Sequence, residues 1–510
     1  MRIIKGFLIP LLAALSILLS SCGTALSDDK GANTVTPDTT VPSSIDESNR
    51  GGDGQADSVL TEEYSYETWL ENTYSYFDTV KVDLSQDNSG IFTDNSSTLA
   101  WGTSYVLDAL YRSYCATGDI AFVDQIAIYL YNDYELLADK DGDGYLNWGT
   151  GHYSGGVYEE YVVHSGMMLN MAGLFLCLVM GDPELSEKDT PVGMTYRELS
   201  DYIIDRSVNH IIPSFDCDWN DELGVYMTRP GSSIYDGAEE SFSLPHNQYI
   251  VMAATLINFA KVSPEHRDEY LYKAERMCET FSSCVKRYPN IGVVTWNYND
   301  PLFDTDHYTY RQEDFSHGML DVRAAITAYE NGLVFSLEDI GMFAKTYDSL
   351  MFRETENYPA LSDYVDGTGE TVGYIRYEIY DLSVHSEKIA ERGMDYMLYN
   401  GTDKGIDAPQ VLAFHPDTPL PGEFTLSSPD TSTDSTVFLW QRTAHANYYR
   451  IEIAEDPQFE NVIAERDKIT NSSTVIDGLP SGTELYARVV AMNMKGESTL
   501  SNTVKFKTAE

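Results

Sequence analysis

From about Glu62 to Asn400 apolar positions recur at helical spacing, and the long stretches come in pairs. Leu99–Ala116, Glu159–Met180, His246–Lys261 and Asp314–Glu330 each run to a turn at Thr117-Gly118-Asp119, at Gly181-Asp182, after Lys261 or at Asn331-Gly332. A second helix returns after each turn, near 119–138, 195–212, 264–284 and 335–352. Helices near 64–80 and 380–400 extend the series to five or six hairpins. Short turns lie on one side and long loops rich in Tyr, Trp and Gly on the other, which predicts an α/α toroid over 61–405. From Ala408 to Glu510 the period changes to two, in Val437–Trp440, Tyr448–Ile453, Val475–Leu479, Leu485–Met492 and Thr503–Lys507. Gly and Pro between those runs predict an all-β sandwich over 408–510.

The first 60 residues follow neither pattern. Arg2 and Lys5 precede an apolar run from Gly6 to Leu19 and then Ser20-Ser21-Cys22-Gly23, the layout of a secretory signal. Leu19-Ser20-Ser21-Cys22 resembles a bacterial lipobox. That implies a signal peptide over 1–21, lipidation of Cys22 as the membrane anchor, and, with Gly23 following, a place at the outer membrane or cell surface. Residues 22–60 are Ser, Thr, Gly, Pro and Asp with few large apolar groups, a flexible tether.

Composition narrows the partner. The 510 residues hold 33 Lys+Arg against 80 Asp+Glu, a formal charge of −47, which argues against nucleic acid. The 37 Tyr suit a protein that handles sugars. Five cysteines follow Cys22, and Cys278 and Cys284 stand six apart, so at most an isolated disulfide is expected, not a framework.

Three local patterns could carry chemistry. Glu160…His164, Glu313-Asp314…His317 and Asp381…His385 each place an acid four residues before a histidine near a helix start, and His246 opens another helix. One helical face would hold each pair, and four histidines would ring one mouth. Trp101, Trp296 and Tyr298 stand in loops or at helix starts, where aromatic rings can stack on sugars. Asp139, Asp141, Asp143 and Asn147 alternate like oxygen ligands of a calcium loop with Gly142 and Gly144 for the turn, although Thr150 stands where the bidentate Glu belongs. They form a candidate structural Ca2+ site.

Leu244-Pro245-His246-Asn247-Gln248 and the run from Trp296 through His307-Tyr308-Thr309-Tyr310-Arg311-Gln312-Glu313-Asp314 to His317-Gly318 together resemble the α/α-toroid polysaccharide lyases. The resemblance implies β-elimination on a uronate-containing glycan. Asn247 with His246 or Arg311 would neutralise the carboxylate, and Tyr308 or Tyr310 would serve as base and acid. The same residues allow an inverting glycoside hydrolase, with Glu313 or Asp314 against Glu159, Glu160 or Asp381. A third reading is a glycan-binding protein without catalysis. Trp440, Tyr449, the Leu479–Thr483 turn and Tyr486-Ala487-Arg488-Val489 resemble a fibronectin type III domain, which implies a spacer with no chemistry of its own.

Overall fold

A computed structural model describes residues 62–86, 88, 90–232, 240–299, 311–354, 359–373, 375, 377–432 and 435–509. The expected signal peptide, tether and Cys22, together with Tyr308 and Tyr310, lie outside the described residues. The chain is a helical unit followed by antiparallel sheets, and thirteen α-helices are present among the described residues.

The helices that matter here are α1 (Tyr66–Val80), α2 (Ser104–Thr117), α3 (Ile120–Tyr134), α4 (Val162–Gly181), α5 (Tyr196–Arg206), α6 (His246–Val262), α7 (Arg267–Cys284), α8 (Phe315–Glu330), α9 (Leu337–Thr346), α10 (Glu387–Asn400) and α11 (Ala408–Ala413). Gly118 closes α2 at φ 71°, a left-handed conformation that glycine adopts without a Cβ clash, and the Asp119 carboxylate caps α3 by accepting the Ala121 N–H.

Inner and outer helices differ in composition. In α4 every residue except Met180 is buried, so the helix is apolar all round. It is long and apolar enough to cross a membrane, yet its most apolar stretch is buried inside the protein. Outer helices keep a charged face: α5 and α9 each begin with a capping box, Thr195 with Glu198 and Ser336 with Asp339. The inner segments α2, α4, α6, α8, the 3-10 segment Tyr377–Val384 and α11 each pack on the next, and α11 packs back on α2. The fifth segment of this ring differs from the expected helix: residues 377–384 wind as a 3-10 helix, and the α-helix begins only at Glu387.

Charge closes the middle of the ring. Arg112 of α2 donates to Asp381 at 2.6 Å, and Arg323 of α8 reaches Asp381 and Asp108, each at 3.1 Å. Gln410 of α11 completes the network by donating to Asp108. Four inner segments thus meet at one buried ionic knot, which stays soluble in the interior only because each charge is paired.

After residue 423 the strands are β1 (Ser435–Leu439), β2 (Tyr448–Ala454), β3 (Val462–Ile469), β4 (Ser473–Asp477), β5 (Glu484–Met492), β6 (Ser498–Leu500) and β7 (Val504–Lys507). One sheet runs β3-β2-β5-β6 with β7 also on β5; the other runs β4-β1 and adds Asp430–Thr431. Ile451 faces Val489 and Ile453 faces Ala487 across β2 and β5. Phe438, Trp440, Tyr449, Ile451, Ile469 and Leu485 fill a core shared by both sheets.

The β unit is not a loose spacer. It is bonded to all six inner segments at the ends away from the long loops. Asn471 accepts from Tyr111 of α2, and Ser427 donates to the Gly181 carbonyl of α4. Lys261 of α6 donates to Ser473, and Lys468 donates to the Val384 carbonyl. Asn447 donates to the Ala413 carbonyl of α11. The buried Glu330 carboxylate at the end of α8 accepts from the Thr470 N–H and hydroxyl, both at 2.6 Å, and from Asn471 at 2.9 Å.

Candidate functional site

With the β unit on the C-terminal ends of α2, α4, α6 and α8, their N-terminal ends and the long loops carry the candidate chemistry. A cleft of about 240 Å³ opens there, lined by Asp141, Tyr158, Glu159, Glu160, Asp218 and Arg229 among others, with Gln248 of α6.

Glu160 lines it. The residue lies two positions ahead of the first residue of α4, and its side chain is mostly buried. Asn147 donates to its Oε2 at 3.1 Å and the Tyr158 hydroxyl to its Oε1 at 3.3 Å. Burial, reinforced by the negative Asp141 and Asp143, raises its pKa to about 7 against the opposing pull of Arg229 and Asn147. Beside it Arg229 holds Asp218 at 2.8 Å, donates to the Ser214 carbonyl at 2.9 Å and lies 3.8 Å from Asp141. Burial raises Asp218 even so, and Asp218 in turn outweighs burial at Arg229 and raises that guanidinium. Glu159 accepts from the Ser232 hydroxyl at 2.6 Å.

A second corner adjoins the cleft through Gln248, whose amide lies 3.5 Å from the Tyr298 hydroxyl. Arg311 stacks over the Tyr298 ring at 4.1 Å, and His317 meets that ring edge-on at 5.4 Å. Asp314 is the N-cap of α8, accepting the His317 N–H at 3.0 Å and holding His317 Nδ1 at 2.6 Å. Burial works against both charges, but the pair overrides it: Asp314 falls to about 2 and the His317 pKa rises. Burial raises Tyr298 to about 12, so it is a proton donor at neutral pH rather than a base.

Glu313 turns inward instead. It is fully buried against Asp321, which accepts from Trp296 Nε1 at 2.8 Å. Burial holds both carboxyls well above the usual range; the charge of Asp321 adds to the rise at Glu313 and that of Asp314 to the rise at Asp321, where hydrogen bonds with Trp296 and Glu313 pull the other way. Trp296 is fully buried with them, a core residue and not an exposed stacking platform.

The acid–histidine echoes therefore do not share one geometry. Glu160 pairs with Asn147 and Tyr158, while His164 bonds Ser96 at 3.0 Å among Trp101, Tyr153 and Tyr161, where burial takes its pKa down to about 3. Trp101 serves that aromatic box. Asp381 belongs to the central knot, and His385 lies near Lys468 and Tyr329 at the β-unit end, its pKa lowered to about 3 chiefly by burial. His385 thus lies away from the ends that carry His164, His246 and His317, and α4 and α8 start too late to hold Glu160 and Glu313, each two residues ahead of the first helical residue. His246 is 1% exposed with Nδ1 on the Tyr249 hydroxyl at 2.8 Å; Asn247 is equally buried, and its Nδ2 has no hydrogen-bond partner among the described residues.

Asp139, Asp141 and Asp143 bring carboxylate oxygens within 4.8 Å of one another. Asn147 does not join them: its amide faces inward to Glu160 and Ser214, and its oxygen accepts from the Ser165 hydroxyl. Cys278, Cys284 and the other described cysteines are free thiols.

Arg229 and Asp218 escaped the sequence reading. A signal for them existed: no Lys or Arg occurs between Lys140 and Lys188, or between Arg229 and Lys261, so Arg229 is an isolated cation beside acidic loops. No protein-family model matches the chain, and no curated protein matches it.

Proposed function

We propose that the protein is a surface-anchored, glycan-cleaving enzyme, and that hydrolysis by a carboxyl pair fits its cleft best. The observation that carries this is Glu160, which lines an open cleft and whose carboxyl, raised to about 7, keeps a large protonated share at neutral pH and can give its proton away. In such a hydrolysis Glu160 protonates the glycosidic oxygen as the C–O bond breaks. A carboxylate, Glu159 or Asp218, takes a proton from water as the water oxygen bonds the anomeric carbon.

The closed ring of six inner segments, each backed by an outer helix, supports an α/α toroid of six hairpins, a fold whose loop-bearing face takes extended sugars. The strand order and the Trp440/Tyr449 core support a fibronectin type III unit. The sequence around Cys22 supports the lipid anchor and an outer-membrane or cell-surface location. A Ca2+ ion held by Asp139, Asp141 and Asp143 would brace the loop that leads to Glu160.

Glu160→Gln should abolish reducing-end release from the substrate glycan without loss of fold, and added azide should rescue the variant lacking the base. Full turnover by Glu160→Gln would remove the reading.

β-Elimination on a uronate is the second reading. It is favoured by one observation, the cationic Arg311–His317 corner at Tyr298, immediately after Tyr308 and Tyr310 in the chain. Its mark is an ultraviolet-absorbing unsaturated product, with Arg311→Ala and Tyr310→Phe inactive. The burial of Asn247 and His246 weakens it, because the neutralising pair must touch the substrate carboxylate.

A further inference from the structure

Glu313 and Asp321 leave polar atoms in the core that the chain does not satisfy. Both residues are 0% exposed, and no Lys or Arg among the described residues pairs with either. Glu313 Oε1 accepts the Asp314 N–H at 2.9 Å, and Asp321 Oδ2 accepts from Trp296 Nε1 at 2.8 Å. Glu313 Oε2 and Asp321 Oδ1 have no donor among the described residues, and the two carboxyls can bond each other only while one keeps a proton. The Tyr347 hydroxyl, fully buried within the field of both, has no partner either. Buried polar atoms left unpaired in one place mark a group that the chain itself does not supply.

The fold fixes Glu313 in that position. Its N–H donates to the Trp296 carbonyl and its carbonyl accepts the Val365 N–H, each at 3.0 Å. Gly318 makes the room: a Cβ there would meet Glu313 Cγ, the Trp296 ring and Val365, each at 3.1 Å. So held, Glu313 offers a carboxylate oxygen beside one from Asp314 and a ring nitrogen of His317, all three within 4.8 Å of one another. Donors about 2.0–2.2 Å from one ion lie at most about 4.4 Å apart, so small side-chain rotations suffice. Asp314 and His317 are partly exposed and give an ion its way in. Arg311 stacks on Tyr298 and stands 3.9 Å from Asp314, which leaves Glu313 without a cation.

We infer that Glu313, Asp314 and His317 bind a divalent transition-metal ion, for which Zn2+ is the probe that suits one imidazole and two carboxylates. The imidazole sets the site apart from Ca2+ and Mg2+ sites, whose donors are oxygens. Asp321, four residues after His317 in α8, keeps its proton and donates it to Glu313, the hydrogen bond that orients a ligating carboxylate from behind. The proton that His317 Nδ1 now shares with Asp314 at 2.6 Å passes to solvent as the ion enters. The ion would pin the loop ending at Asp314 to the start of α8. The inference does not rest on the chemistry of Glu160.

The test titrates Zn2+ into the chelator-dialysed full chain by calorimetry. Every protein in the series carries Asp141→Asn, which removes a competing carboxylate from the exposed Asp139–Asp143 loop. The parent of the series should bind Zn2+, and adding His317→Ala or Glu313→Gln should weaken that binding at least about tenfold with the fold intact by circular dichroism. Where Glu313→Gln fails to fold, His317→Ala, whose side chain is partly exposed, carries the test. Co2+ supplies a second readout: its visible absorption with the parent should shift when His317→Ala takes away the nitrogen donor. No Zn2+ binding by the parent, unchanged affinity in a folded variant, or a Co2+ spectrum indifferent to His317→Ala overturns the inference and leaves a shared proton or a buried water between the carboxyls.

Discussion

Glu160 and His164 stand four residues apart, and their surroundings send them to opposite fates. Burial penalises the charged form of each, so the carboxyl rises to about 7 and the imidazole falls to about 3. The first is poised to move a proton at neutral pH; the second is a neutral ring in an aromatic box. Activity should therefore fall as pH rises through about 7, because Glu160 must be protonated to act as the acid. A kcat/KM profile measured across that range checks this, and a flat profile speaks against Glu160. Folding stability moves the same way: the native state binds a proton the unfolded chain has lost between its ordinary pKa of 4.5 and about 7, so this contribution declines as pH rises through that window. At the neighbouring corner, Asp314→Asn should lower the His317 pKa, visible as an earlier loss of its imidazolium signal in an NMR titration with increasing pH. An unchanged His317 titration would mean that Asp314 is not its partner.

At the scale of elements, hydrophobic period and turn residues located most of the chain. The α6 start at His246 and the α8 end at Glu330 were legible, since Pro245 and Asn331-Gly332 mark them. Two kinds of error remained, both physical. An apolar run follows Glu160 and Glu313 and draws both into the expected helices, but each lies two residues ahead of the first helical residue. Strand β3, Val462–Ile469, was missed because it is an edge strand with Glu465, Arg466 and Lys468 among few apolar residues. The central knot was not legible at all. Asp108 and Arg112 of α2 lie far in the chain from Arg323, Asp381 and Gln410, and no local spacing announces that they meet. Asp381→Ala should leave Arg112 and Arg323 buried with fewer countercharges and cost about 3–5 kcal/mol, measured by chemical denaturation. A change under about 1 kcal/mol would show that water reaches the knot.

For the whole molecule, the contacts of the β unit alter the meaning of the C-terminal hundred residues. A spacer would leave the helical unit indifferent to its presence. Here the ends of the inner segments donate to or accept from the β unit, and the Glu330 carboxylate is satisfied only by its residues Thr470 and Asn471 among the hydrogen bonds described. Glu330→Ala removes that carboxylate and leaves the Thr470 N–H without its acceptor, so the two units should uncouple. Calorimetry of the wild type should show one unfolding transition and of the variant two, or one at clearly lower temperature; an unchanged trace would return the β unit to the role of spacer. Docking of the β unit on one face also leaves the loop-bearing face as the open one, which is where the Glu160 cleft lies.

The central claim is that this cleft hydrolyses a glycan with Glu160 as proton donor. The most direct test incubates the wild-type full chain and its Glu160→Gln variant with amino-sugar, neutral and uronate polymers, and follows new reducing ends and ultraviolet absorbance together. The account predicts reducing ends without absorbance, from wild type alone. Absorbance growing on a uronate polymer, or equal turnover by Glu160→Gln, would contradict it.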